Sequence, residues 1–250
     1  MIKVILSGCC GKMGAFIREG VNNNTDMEIV AGVDVTENSG LGFPVFQNFS
    51  EINIKADVII DFSRPAILPS LLEYSAKNNI PSVIATTGLT DDDIEKIKKH
   101  SDNCAVFFSY NMSLGVNLIS ELAKTAAKAL GKSFDIEIIE AHHNQKVDAP
   151  SGTAIMLADA VKEVLPDSYY KYDRHAEKEK RSGNEIGIHS IRGGTIVGEH
   201  EVIFAGKDEI IKISHSARSR AIFAEGAINA ARFISSKKNG IYSMKDIINS

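Results

Sequence analysis

Short, mostly apolar runs separated by glycine and polar turns recur through the first hundred residues. Residues 2–7, 28–33, 56–62, 81–85 and 104–108 each have the length of a strand and no consistent polar face, the pattern of strands covered on both sides. Between them the spacing turns helical: Met13, Phe16, Ile17 and Val21 share one face, Pro65 opens a segment running to about Asn78, and residues 91–100 form a third. Such alternation predicts a parallel sheet with right-handed crossovers, whose ligands sit beyond the carboxyl ends of the strands. One rim therefore collects residues 8–13, Asp34, Phe62 with Ser63, Ala85, Thr86 and Thr87, and Ser109, Tyr110, Asn111 and Met112.

After Ser113 the pattern changes. A long amphipathic helix over 114–130 leads to an apolar strand at 136–141, a helix from 152 to 165, and a polar stretch of mixed charge over 167–184 that reads as a solvated loop. Strands follow at 194–205 and 210–215, where Ile203 and Ala205, and Ile211 and Ile213, alternate with polar residues as on a half-buried open sheet. A helix over 220–234 presents Ile222, Phe223, Ala227, Ala230, Phe233 and Ile234 on one face and is expected to pack back on the first domain.

The first strand runs into Gly8, Cys9, Cys10, Gly11, Lys12, Met13 and Gly14, a G-x-x-G-x-x-G turn opening a helix. This is a variant of the dinucleotide fingerprint, in which glycines allow a tight turn, close approach of a pyrophosphate and close packing of helix on strand. The second strand ends in Asp34, about 20 residues beyond the last glycine, where a carboxylate meets the adenosine ribose. Val35, Thr36 and Glu37 follow in place of an arginine. A 2′-phosphate would meet negative charge, so NADH is expected in preference to NADPH; Lys12 offers partial compensation and keeps NADPH as the second cofactor.

Residues 140–154 concentrate groups able to move protons and bind anions. The strand leaves through His142 and His143 to Lys146, and Ser151 is placed to cap the next helix, whose Gly152 and Thr153 amides face outward at the positive end of the helix dipole. An imidazole titrating near 6.5 suits acid or base work at about neutral pH, and Lys146 adds a full charge for an anionic substrate. The histidines also fit a plain strand end, one ring inward and one in water. Metal binding is not expected, because neither H-E-x-x-H nor paired C-x-x-C is present.

Charge and cysteine usage narrow the classes. Lys and Arg number 28 against 32 Asp and Glu, a net charge of −4 without long blocks, which offers nothing for nucleic acid or a membrane surface. No apolar run approaches the roughly 18 residues of a span. Cys9, Cys10 and Cys104 make no disulfide framework and point to a reducing, cytoplasmic location.

Residues 8–14, Ala85-Thr86-Thr87-Gly88, residues 111–117 and above all Glu137 to Ala154 resemble the 4-hydroxy-tetrahydrodipicolinate (dihydrodipicolinate) reductase family of lysine and diaminopimelate biosynthesis, over the whole chain. The resemblance implies an α/β protein with a Rossmann-type dinucleotide-binding domain (1–113 and 220–250) and an α/β substrate-binding and tetramerisation domain with an open mixed sheet (114–219). It implies His142 as proton donor and acceptor and Lys146 as second proton donor. His143, Gly152 and Thr153 become contacts of a cyclic dicarboxylate, and residues 8–13, Asp34, 85–87 and 109–112 contacts of the cofactor. The family often has an arginine after the ribose acid, and Val35 departs from that. Two other readings fit the same residues: a reductase of another small oxo or imino acid, and a non-catalytic NAD-binding sensor.

Overall fold

The computed structural model describes residues 1–36, 40–175 and 177–250; Glu37, which entered the cofactor argument, lies outside them. The chain forms two compact units, Met1–Leu114 with Arg220–Ser250, and Gly115–Ser219.

The first unit opens with β1 (Ile2–Ser7), α1 (Lys12–Asn22), β2 (Met27–Val33), β3 (Val45–Phe46), β4 (Val58–Asp61), α2 (Leu68–Asn78), β5 (Ser82–Ile84), α3 (Asp91–Ser101) and β6 (Ala105–Phe108). Then α4 (Leu114–Leu130) leads into the second unit: β7 (Asp135–His142), α5 (Gly152–Lys162), β8 (Tyr169–Lys171), β9 (Glu185–Arg192), β10 (Gly198–Ala205) and β11 (Ile210–Ala217). The chain returns to the first unit with α6 (Ala221–Ile234), β12 (Gly240–Tyr242) and α7 (Met244–Ile248).

The first sheet is parallel throughout, in the order β12-β6-β5-β4-β1-β2-β3. Its central strands, β1, β4, β5 and β6, are buried on both faces, alternate side chains going to opposite sides. Val4, Leu6, Val58 and Ile60 pack with Ile17 and Val21 of α1 and Ala227, Ile228 and Ala231 of α6, while Ile5, Ile59 and Ile84 face Leu68 and Leu71 of α2 and Ile97 of α3. The expected return of the 220–234 helix is observed, and it brings a further strand, β12, to the sheet edge.

The second sheet, β11-β10-β7-β9-β8, is mixed: β10 runs antiparallel to β7 and β11, whereas β7, β8 and β9 are mutually parallel. One face, with Ile136, Ile138, Ile186, Ile188, Val202 and Phe204, packs on Ile119, Ala123 and Ala127 of α4 and Leu157, Ala158 and Val161 of α5.

Three expectations need correction here. Residues 169–171 of the polar stretch form β8, where a loop was expected, and residues 185–192 just after it, for which no element was expected, form β9. On β10 the buried positions are His200, Val202 and Phe204, so Ile203 and Ala205 lie on the opposite face of the sheet from Ile211 and Ile213. The helix expected to 165 ends at Lys162.

Candidate active site

In the first unit the glycine turn is shaped by contact. A Cβ on Gly14 would lie 2.3 Å from the Gly8 carbonyl oxygen, so the first turn of α1 packs against the loop at a distance only glycine allows. Gly11, the residue before α1, supplies no side-chain cap, which leaves the amides of the first turn to an external anion. Asp34, just past β2, accepts the Cys10 N–H at 2.9 Å and the Thr36 N–H at 3.1 Å. Its carboxylate is thereby anchored to the turn; the Cys10 amide, in exchange, is not available to a phosphate.

Cys9 is fully buried, so its side chain faces the core and only its backbone borders the turn. Cys9, Cys10 and Asp34 bring three potential metal donors within 4.8 Å of one another. Burial first, and the neighbouring Cys10 second, push the Cys9 thiol up to about 12, which opposes thiolate ligation.

The rim expected beyond the strands encloses a cavity of about 370 Å³. It is lined by Met13, Ala85, Thr86, Thr87, Tyr110, Asn111 and Met112 together with Phe62, Ser63, Arg220 and Phe223. Ser109 lies beneath, donating to the Asn111 carbonyl at 2.8 Å. Arg220 and Phe223, at the start of α6, are absent from the expected set, and nothing local in their sequence marks them. Asp61, also unforeseen, ends β4 almost fully buried and accepts Ser63 Oγ at 2.6 Å and Thr86 Oγ1 at 2.5 Å. Burial raises its carboxyl and the two hydroxyls oppose that rise; the group ties two rim loops together. An anchored acid, a glycine cradle and a cavity beyond parallel strands fit a dinucleotide.

In the second unit β7 delivers His142 at its last residue. Alternation turns His142 inward, 9% exposed, while His143 beyond the strand end is half-buried. The inward histidine meets a polar row: Ser190, Glu140, His200 and His215 stand in register across β9, β7, β10 and β11. Glu140 has no exposure and accepts His142 Nδ1 at 2.6 Å, Ser151 N–H at 3.1 Å and both Arg192 Nη groups at 2.8 and 2.7 Å. Burial works to raise this carboxyl, but the hydrogen bonds from Arg192, His142 and Ser190 outweigh it and hold the group down at about 2. Burial, and then the neighbouring His142, lower His200 to about 4, so its ring is neutral and meets Ser151 Oγ at 3.0 Å. The same Ser151 Oγ accepts the Ala154 N–H at 3.1 Å and caps α5 as expected.

Gly152, the first residue of α5, is exposed, and a Cβ there would meet nothing within 4 Å; Thr153 beside it is half-buried. Lys146 pairs with Asp148 at 2.8 Å, and that contact leads in lowering the Asp148 carboxyl. Asp148 is 60% exposed, so the pair is weak and an incoming carboxylate competes for the ammonium at small cost. The second unit thus gathers His142, His143, Lys146, Gly152 and Thr153 around the β7–α5 turn. Glu140, Arg192 and His200 are the site residues that sequence reasoning missed.

Comparison with known proteins points in one direction. The family models "Dihydrodipicolinate reductase, N-terminus" and "Dihydrodipicolinate reductase, C-terminus" match residues 2–112 and 115–248. The 4-hydroxy-tetrahydrodipicolinate reductase of Clostridium novyi (strain NT) is 51% identical over 251 residues, covering 100% of this chain and 99% of the relative. That of Caldanaerobacter subterraneus subsp. tengcongensis is 50% identical over 249 residues, with 99% and 98% covered. Among solved structures, a dipicolinate-bound dihydrodipicolinate reductase from Paenisporosarcina sp. TG-14 superposes with a TM-score of 0.83 at 29% identity, covering 99% of each chain.

Proposed function

The chain belongs to the dihydrodipicolinate reductase family, and from that premise we propose how its two sites divide the work. It is a nicotinamide-dependent oxidoreductase that reduces 4-hydroxy-tetrahydrodipicolinate to tetrahydrodipicolinate in lysine and diaminopimelate biosynthesis. The first unit holds the cofactor: the α1 start and the glycine turn take the pyrophosphate, Asp34 the adenosine ribose, and the cavity at 85–87 and 109–112, with Arg220 and Phe223, the nicotinamide. A reduced nicotinamide bound there would supply the hydride that, with one proton, reduces a single carbon–carbon double bond of the ring once the 4-hydroxyl has left as water.

The second unit binds a small cyclic dicarboxylate. Lys146 and the Gly152 and Thr153 amides at the helix start receive a carboxylate, with His143 alongside; a fixed ring is mainly an orientation effect. His142 and Lys146 supply the proton that accompanies reduction. The observation that carries this reading is that an imidazole, an ammonium and a helix start follow one another between the end of β7 and α5, with the Glu140 carboxylate that holds His142 also accepting the N–H of the α5 cap Ser151.

NADH is preferred over NADPH in this reading, because Asp34 carries negative charge to the ribose edge and Val35 occupies the next position, where an arginine would serve a 2′-phosphate. The assembly is a homotetramer: the outer face of the second sheet carries half-buried Ile139 and Ile203 beside exposed Ile191, a surface suited to other copies of the chain. Light scattering tests that directly, against four times the 27.1 kDa of one chain. Among the described residues no helix is long and apolar enough to cross a membrane, and free Cys9, Cys10 and Cys104 suit the cytoplasm.

The deciding assay couples the enzyme to the aldolase-type synthase that makes its substrate and follows loss of NADH absorbance. Turnover of the synthase product, with other oxo and imino acids left unreduced, is the expected result. Cofactor binding without turnover of any cyclic dicarboxylate would favour the sensor reading instead.

A further inference from the structure

Four N–H groups converge on one buried carboxylate. Glu140 Oε1 receives Arg192 Nη2 at 2.7 Å and Ser151 N–H at 3.1 Å; Oε2 receives Arg192 Nη1 at 2.8 Å and His142 Nδ1 at 2.6 Å. A fully buried carboxylate is tolerated only when paired and hydrogen-bonded, and the fork of a guanidinium is the partner whose geometry matches both oxygens. We infer that Arg192 and Glu140 are positioning residues for His142: clamped by Arg192, Glu140 acts only as an acceptor, so His142 keeps its proton on Nδ1 and moves the catalytic proton at Nε2.

The inference deepens, and rests on, the reading of His142 as a proton donor. An ionised carboxylate has no proton to give, so the hydrogen in the 2.6 Å contact belongs to the imidazole. On its other side the ring lies against Gly198, where a Cβ would stand only 3.1 Å from Nε2, so glycine keeps a side chain away from that nitrogen. The Arg192 guanidinium also donates to the Asp148 carbonyl at 2.6 Å, so the group that fixes Glu140 fixes the loop carrying Lys146. Ser151 N–H joins the start of α5 to the same carboxylate. One ion pair therefore sets the imidazole, the ammonium-bearing loop and the anion-receiving helix start in a single frame.

The other ionisable groups around Glu140 leave this assignment standing. His200 on β10 is neutral and engaged with Ser151, His215 lies beyond it on β11 and is itself lowered by burial, and Lys146 is paired with Asp148. Among the described residues Arg192 alone gives the carboxylate a bidentate cationic partner.

The tests are the tautomer and the pH profile. Two-dimensional 15N–1H spectra of the wild-type histidines, assigned with His142→Gln, should show the neutral His142 ring protonated at Nδ1, with Nε2 the nitrogen that takes the second proton when the ring is charged and able to donate. In Arg192→Met, kcat at pH 7 should fall by about 100-fold while NADH affinity is unchanged. Its profile should gain a limb that rises with pH, because Glu140 without its guanidinium must first lose a proton before it can accept one. Arg192→Lys, which keeps the charge without the fork, should fall between the two. A neutral wild-type His142 ring carrying its single proton on Nε2, or an Arg192→Met enzyme that loses thermal stability while its pH profile overlays the wild type, overturns the inference. If Arg192→Met does not fold, the wild-type tautomer and Arg192→Lys decide. The tautomer is read without substrate, so an inactive wild type would sink the reductase reading and leave this result to stand or fall by itself.

Discussion

Gly8, with φ at +78°, presses against Phe62 so closely that a Cβ would lie 2.6 Å from its carbonyl oxygen. The end of β1 and the end of β4 touch backbone to backbone at the place where the dinucleotide turn begins, and Phe62 itself lines the cavity. Gly8→Ala would bring both a left-handed backbone penalty and an overlap that must push the two strand ends apart, about 2–4 kcal/mol together. The expected outcome is a lowered melting temperature and NADH affinity reduced at least about tenfold, seen by fluorescence titration, since a tenfold loss is only about 1.4 kcal/mol. Unchanged cofactor affinity in this variant would show that the turn does not hold the pyrophosphate.

Acid sensitivity should come in two steps. His200 is held at about 4, first by burial and then by His142, whereas in the unfolded chain it protonates near 6.5, at about the ordinary value. A base that resists protonation only in the native state loses stability as the pH falls from 6.5 to 4. Glu140, held at about 2 against about 4.3 unfolded, stabilises above the unfolded value and gives that up as the pH falls through 4 toward 2. Each window is worth about 3 kcal/mol by linkage. Urea midpoints measured from pH 7 to 3 should drop across both windows; His200→Gln should flatten the upper one and Glu140→Gln the lower. A midpoint that holds steady from pH 6.5 to 4 in the wild type contradicts the buried neutral imidazole.

The same polar row shows where sequence reasoning reached and where it stopped. The glycine turn and Asp34 were legible because their spacing is local and glycine has few substitutes at a close contact. The β7–α5 turn was legible for a similar reason: capping serine, histidines and lysine stand within fifteen residues of one another. β9 was not. Its apolar alternation covers only Ile186 and Ile188, because Ser190 takes the next inward place and Ile191 falls on the other face, too short a run to mark a strand. With β9 unread, Arg192 could not be matched to Glu140, 52 positions earlier in the chain. Arg220 and Phe223 escaped likewise, since only folding brings the start of α6 to the rim beyond β6. On β10 the reading of Ile203 and Ala205 as the apolar face hid the fact that Val202 and Phe204, at even positions, are buried.

Removing the proton donors should separate chemistry from cofactor binding. His142→Ala and Lys146→Ala are each expected to lower kcat by about 10²- to 10⁴-fold, the usual worth of general acid–base groups. NADH affinity should stay within about twofold, since Asp34, the glycine turn and the cavity belong to the other unit. Lys146→Ala should in addition raise KM for the dicarboxylate, because the ammonium is both charge and proton source. Steady-state kinetics beside NADH titration test this, and near-wild-type turnover in both variants would remove these residues from the mechanism.

Gly152 separates binding from stability by the sign of its effects. In the free protein a Cβ at this position meets nothing within 4 Å, and at the first residue of α5 alanine limits the unfolded chain more than glycine does. Gly152→Ala should therefore leave the melting temperature unchanged or raise it, by up to about 1 kcal/mol of stability. If the helix start receives a substrate carboxylate, the new methyl occupies the approach to the amides, and KM for the dicarboxylate should rise about tenfold, a loss of about 1.4 kcal/mol, with NADH affinity untouched. A purely structural glycine would behave in the opposite way, costing stability and sparing KM. Thermal melts and dicarboxylate kinetics on this single variant thus decide whether the start of α5 is an anion site, and an unchanged KM would rule it out.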